Sequence, residues 1–385
     1  MQTTTRYETP DQRYSYKSEL IERLRQSGHE LCAGRVTIRL AEKLGFCWGV
    51  DRAVAMVWDA IAEFPGRTIW LLNQIIHNPK VNEDFRAHGV RFVFGPFAEP
   101  GGFSRIQAGD VAVIPAFSAE VEHVQKLREL GCEIVDTTCP WVEKPHRRVK
   151  KNLDDGFTTV IHGVFGHDET RATCSLVLAH GGHYLVLRTL EQADLLCNFL
   201  RGAAGEERLR EQFQGTWSPG FDLDKHLKKI GMVNQTTMLA TESREIARRL
   251  GEAMRARDGD PRTPAFRDFD TICPATQDNQ DAVIALTGKR LPDLFLVVGG
   301  YDSSNTANLL RAARARVGSF HVQSADSIGS RELRHRDPLT GSETRTIDWL
   351  PQGEVTVAIS AGASTPDTEL ARVIERLVAV AQGEL

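Results

Sequence analysis

Val135-Asp136-Thr137-Thr138-Cys139-Pro140, which opens the run VDTTCPWVEKPHRRV (135–149), returns as Phe269-Asp270-Thr271-Ile272-Cys273-Pro274 in FDTICPATQDNQDAV (269–283). The shared frame is D-T-x-C-P followed by a polar, helix-like stretch. A looser copy, RLAEKLGFCWGVDRAV (39–54), carries Cys47. Each copy reads as one supersecondary unit that must bury its apolar face against a neighbour. Behind Cys47, Val50, Val54, Val57 and Ile61 fall at i, i+4, i+7 and i+11, the apolar stripe of a helix, and Ala282, Ala285 and Leu286 repeat the pattern behind Cys273. A short apolar run then predicts a buried strand in every copy: 69–72, 159–161 and 294–298. The loops that follow hold polar residues in step. His77 lies 30 residues after Cys47, His167 lies 28 after Cys139, and Ser303 lies 30 after Cys273.

Cysteine, helix, strand and polar loop define an α/β class, in which ligands collect beyond the C-terminal ends of parallel strands. Three similar α/β lobes in a pseudo-threefold, trefoil arrangement would bring three thiolates to one centre. For any single cysteine the plainer alternative is a core residue of an ordinary βα unit, since free Cys is among the most buried residue types. The repeat in register favours convergence. The boundaries it implies are a polar N-terminal extension over 1–35, a first lobe over 36–139, a second over 140–272 with a polar insertion at about 189–229, and a third over 273–385, which the strand before Cys47 could complete.

The chain has 385 residues, 41% hydrophobic and 25% charged, the profile of a globular protein large enough for two or three cores. No stretch approaches the roughly 20 apolar residues that span a bilayer, and the N-terminus lacks the apolar run of a signal peptide, so a cytoplasmic protein with no membrane partner is expected. The net charge of −4 comes with scattered basic residues, which argues against a nucleic-acid partner. Seven cysteines, an odd number without dense spacing, argue against a disulfide framework and for thiols or metal ligands.

Cys47, Cys139 and Cys273 all precede helix-like runs, where backbone N–H groups and the positive end of the helix dipole favour the thiolate that binds metal. Pro140 and Pro274 suit the first helical position. Structural zinc sites usually draw four ligands from close pairs such as C-x-x-C, and no such pair exists here. Three isolated cysteines suit an iron–sulfur cluster better. A [4Fe–4S] cluster held by three thiolates keeps one iron open, which combines a Lewis acid with an electron relay. That pairing favours reductive C–O cleavage, while a cluster hydro-lyase, a quinolinate-synthase-like enzyme, an iron–sulfur sensor and a zinc-stabilised protein stay open as alternatives.

GFCWGVDRA around Cys47, IIHNPKV around His77, DTTCPWVEKPH around Cys139, GHDETRAT around His167, NQTT around Thr236, DTICPATQDNQ around Cys273, YDSSNTANL around Ser303 and SAGASTPD around Ser364 occur in one order along nearly the whole chain. In these eight motifs the sequence resembles the 4-hydroxy-3-methylbut-2-enyl diphosphate reductase family of the non-mevalonate isoprenoid pathway, in its cyanobacterial and plant-like subgroup. The resemblance implies a trilobed fold around a [4Fe–4S] cluster on Cys47, Cys139 and Cys273. It implies reduction of an allylic diphosphate to isopentenyl and dimethylallyl diphosphate, with electrons from ferredoxin or flavodoxin. It also implies Glu169 as the proton donor, Thr236 as a hydrogen-bonding partner of Glu169 or of the substrate oxygen, and His77, His167, Ser303, Ser304, Asn305 and Ser364 as diphosphate ligands. Hydroxyl, amide and imidazolium donors suit that anion. One departure stands out. Many members carry Ser-Ala-His-Gly where this chain reads Pro115-Ala116-Phe117-Ser118, so Phe117 replaces a donor, with Ser118, His123 and His146 as candidate substitutes.

Overall fold

The computed structural model describes residues 16–259, 265–337 and 340–384. Residues 1–15 of the N-terminal extension lie outside them. The described residues form two compact units, one within 67–76 and 80–280, the other within 16–66, 77–79 and 281–384.

The first unit holds two four-stranded sheets, each wholly parallel. One runs in the order Arg91–Phe92, Ile69–Leu71, Val111–Ile114, Glu133–Asp136, and the other Phe266–Asp268, Ile230–Asn234, Thr158–His162, Tyr184–Leu187. Their central strands are buried along their whole length, so they read as continuous apolar or β-branched runs without alternation, as parallel sheets covered by helices must. The region expected as a polar insertion is helical, over Leu190–Leu200, Glu206–Gln212 and Leu223–His226. Its apolar residues Leu196, Leu209, Phe213 and Leu223 are buried in the same core as Val160, Ile230 and Leu250, so it extends that core.

The second unit is built on one seven-stranded sheet in the order Glu30–Ala33, Val36–Leu40, Val355–Ala361, Leu294–Val298, Ser319–Val322, Glu332–Arg336, Glu343–Ile347. The four strands from Val36–Leu40 to Ser319–Val322 are mutually parallel, and antiparallel hairpins close both flanks. Val36, Ile38 and Leu40 face inward in alternation and pair with Val355 to Ile359, so the strand before Cys47, which could complete the third lobe, lies in the sheet of the C-terminal third of the chain. The expected strand 294–298 is found over Leu294–Val298, and 69–72 and 159–161 over Ile69–Leu71 and Thr158–His162. Three α/β lobes with parallel strands thus match the expected fold class.

Candidate functional site

In the second unit, three adjacent parallel strands deliver their C-terminal loops to one region. Cys47 is the N-cap of the helix Trp48–Glu63, with extended backbone, and its N–H donates to the Ala363 carbonyl at 3.3 Å. The Ala363 N–H donates in turn to Oδ1 of Asn305 at 2.9 Å, so one residue ties a thiol to an amide. Ser303 caps the helix Ser304–Arg314, its hydroxyl oxygen accepting from the Thr306 N–H at 3.2 Å. The Ser364 hydroxyl donates to the His77 carbonyl at 3.4 Å. A Cβ at position 300 would stand 2.2 Å from that carbonyl, which is why Gly300 follows the strand. Cys47, His77, Ser303, Ser304, Asn305 and Ser364 therefore belong to one set of neighbouring loops. His77 is buried, and burial pushes its pKa down to about 4 against the opposing pull of Asp302. A buried imidazolium loses its hydration, so burial favours the neutral ring here.

In the first unit, Cys139 caps the helix Pro140–Asp154, and its N–H donates to the Ala116 carbonyl at 3.0 Å. His167 caps Asp168–Ala179, with Nδ1 accepting from the Glu169 N–H at 3.2 Å. In a neutral ring that assignment puts the proton on Nε2. Phe117 meets this ring edge to face, centroids 5.9 Å apart, so the residue that replaces a donor packs on a neighbouring histidine. Of its candidate substitutes, Ser118 and His123 line a cavity of about 390 Å³ with Asp168 and Arg171. Burial pushes His146 down to about 4.

Glu169 is 2% exposed. Oε1 accepts from the Thr236 N–H at 2.6 Å and Oε2 from the Thr236 hydroxyl at 2.8 Å. Burial nevertheless outweighs both bonds and pushes the carboxyl up to about 7. The Thr236 carbonyl accepts the Cys273 N–H at 3.1 Å, so Thr236 joins the acid to a thiol through its own backbone. Cys273 Sγ lies 3.0 Å from the Thr276 hydroxyl and accepts from the Thr276 N–H at 3.4 Å, the surroundings of a sulfur at a helix start.

All three cysteines thus use their N–H in one way: each donates to a carbonyl in the loop after a parallel strand, at Ala363, Ala116 or Thr236. The sequence reading missed this rule. Its signal is present as Gly-Ala-Ser, Pro-Ala-Phe and Gln-Thr-Thr, each closing an apolar run. Two of the remaining thiols differ in kind. Burial pushes Cys174 up to about 12 and Cys197 up to about 11, as inert core residues. No His, Cys, Asp or Glu group among the described residues is gathered closely enough to hold a single metal ion. Thiolates that ligate separate irons of a cluster need no such gathering.

The family model described as LytB protein matches residues 38–378. The chain belongs to the LytB family. Among curated relatives, the 4-hydroxy-3-methylbut-2-enyl diphosphate reductase of Synechococcus sp. (strain RCC307) is 44% identical over 96% of this chain and 90% of its own length. That of Thermosynechococcus vestitus is 42% identical over 95% and 90%. A solved structure of (E)-4-hydroxy-3-methyl-but-2-enyl diphosphate reductase, described as the terminal enzyme of the non-mevalonate pathway, superposes with a TM-score of 0.53 at 25% identity, covering 88% of this chain and 98% of its own. The reductase from Plasmodium falciparum, at 20% identity and a TM-score of 0.65 over 88% and 86%, shares the fold of this LytB-family chain.

Proposed function

We propose that this chain is an oxidoreductase that converts 4-hydroxy-3-methylbut-2-enyl diphosphate to isopentenyl and dimethylallyl diphosphate. Two electrons and two protons enter, the C–O bond breaks, a C–H bond forms, and the hydroxyl leaves as water. The observation that carries the reading is Glu169, a fully buried acid with a pKa near 7, joined through Thr236 to the backbone of Cys273. A carboxyl that holds its proton at neutral pH suits delivery to a leaving hydroxyl and an allylic carbon. Thr236 holds both carboxyl oxygens, so the acid cannot rotate away from its target.

Cys47, Cys139 and Cys273 are the residues we assign to a [4Fe–4S] cluster, and the donor set fits it. Each is a helix-start cysteine, and Cys273 Sγ already accepts a backbone N–H. When bound, such a cluster supplies a Lewis-acidic iron and a relay for single electrons. The diphosphate falls to His77, His167, Ser303, Ser304, Asn305 and Ser364. Ser303, Ser304 and Asn305 open a helix N-terminus, where the dipole favours an anion, and His77 in its neutral form donates without carrying a charge of its own. Single electrons come from ferredoxin or flavodoxin. Thiols and low-potential electrons suit the cytoplasm, and no helix among the described residues is long and apolar enough to cross a membrane.

Anaerobic purification with iron and sulfide analysis, followed by product analysis with the allylic diphosphate and a low-potential reductant, tests the reading. About four irons per chain and strictly reductant-dependent products are expected. Turnover without electron input would instead mark a hydro-lyase and end it.

A further inference from the structure

The helix Pro140–Asp154 has a face that the chemistry at Cys139 leaves unused. Trp141, Lys144, Arg148 and Lys151 recur at intervals of three, four and three, so they form one stripe that flanks the buried Val142, Pro145, Val149 and Asn152. Trp141, in the first turn behind Cys139, is 41% exposed. The Lys144 ammonium lies 5.7 Å from the Trp141 ring centroid and donates to the Asp270 carbonyl at 2.9 Å. The Arg148 guanidinium lies 4.5 Å from the Phe269 centroid. These contacts hold two cations in place without neutralising them, since their partners are rings and a carbonyl. Beyond the end of the helix the basic run continues, with Arg267 and Lys229 both over Phe157, at 4.1 and 5.6 Å. Arg267 also pairs with Asp155, and Arg147 on the flank pairs with Glu143 at 3.9 Å.

A concentrated positive stripe on a chain of net charge −4 steers an acidic partner to one place and repels it elsewhere. An exposed tryptophan within that stripe adds an apolar anchor, the residue type most often found at the centre of a protein contact. The tryptophan stands in the first turn of the helix whose N-cap is Cys139, and the cations follow it along the same helix. We propose that the Trp141–Lys144–Arg148–Lys151 stripe is the docking surface for a small acidic iron–sulfur electron carrier of the ferredoxin class. This rests on the function proposed above. Each encounter oxidises one reduced carrier by one electron, and two encounters per turnover supply the two electrons that, with two protons, turn C–OH into C–H and water. A stripe of three cations along about two helical turns is a small footprint, as suits a partner that must leave after each electron.

The test is the triple variant Lys144→Glu, Arg148→Glu, Lys151→Glu in the full chain, with the Gln versions of the same three positions as a milder second set. Two readouts are taken: turnover with a reduced acidic ferredoxin against turnover with reduced methyl viologen, and calorimetric binding of oxidised ferredoxin at low and high salt. The expected result is a KM for ferredoxin raised about tenfold or more, binding in the parent that weakens with salt and in the Glu variant is lost, and viologen-driven turnover unchanged. Unaltered ferredoxin binding in both variant sets would overturn the proposal. So would a stripe that binds flavodoxin but not ferredoxin, or an equal loss with both reductants while binding persists. If the parent binds ferredoxin at the stripe yet neither reductant yields product, the docking surface stands and the functional reading fails.

Discussion

The helices Asp168–Ala179 and Ser304–Arg314 both begin in a loop behind a buried parallel strand, each capped by the residue 28 or 30 positions after a cysteine. One position past the first residue of each helix the two diverge. Glu169 is a buried carboxyl gripped by Thr236, whereas Asn305 is a buried amide that accepts from the Ala363 N–H. The same scaffold, a helix N-terminus presenting backbone N–H groups, therefore serves two ends. An amide there stays neutral at every pH and can only bind. A carboxyl there, once desolvated, keeps a proton to near pH 7 and can deliver it. The caps differ in the same sense: a serine hydroxyl holds the binding helix and an imidazole the acid-bearing one.

The contrast breaks most sharply at the acid. Glu169→Gln keeps the shape and loses the proton, and is expected to lower turnover by about a hundredfold to ten-thousandfold while iron and sulfide content stay at the parent level. Single-turnover product analysis checks it, and a rate within tenfold of the parent would put Glu169 on a par with Asn305. The parent's rate should fall as pH rises through about 7, where Glu169 ionises. In stability terms a raised folded pKa means that the protonated acid's contribution is complete below about 4.5 and is lost as pH rises through about 7.

Thr236→Val removes one donor to the carboxylate. The alkaline limb of the pH–rate profile should then move to still higher pH, with turnover down about tenfold, since a lost bond to the charged form disfavours ionisation. An unmoved limb would mean that the hydroxyl does not touch the working form of the acid. Asn305→Ala should act on the other column, raising KM about tenfold with a much smaller change in kcat, as expected of a group that binds without moving protons. The smallest effect is expected for Ser303→Ala, whose lost cap costs about 1 kcal/mol and lowers the melting temperature by a few degrees. Calorimetric melting measures it.

Local pattern made much of this legible. D-T-x-C-P announced two cysteines at helix starts, and Cys139 is an N-cap with Pro140 in the first turn. Val50, Val54, Val57 and Ile61 lie in the helix Trp48–Glu63, with Val54 and Val57 buried as an apolar stripe should be. Leu294–Val298 formed the expected buried strand. These features depend on neighbours three or four positions away, which a sequence displays directly.

What the tertiary structure alone decided depends on partners far along the chain. On sequence the strand before Cys47 fits either the first lobe or completion of the third, and Val36–Leu40 pairs with Val355–Ala361, more than 300 residues later. The bond from Thr236 to Glu169 spans 67 residues and that from Asn305 to Ala363 spans 58. Nothing in GHDET separates a capping acid from a proton donor. Burial does, because desolvation is set by what packs around a carboxyl, and it overcomes two hydrogen bonds to bring Glu169 to about 7. The same cause pushes the His77 pKa the other way, down to about 4. Local periodicity and spacing singled out three cysteines and the polar loops in step with them, and the family resemblance named the residues expected to act there. The protonation states, and the shared rule that ties each cysteine N–H to a strand-end carbonyl, follow only from how the chain buries itself.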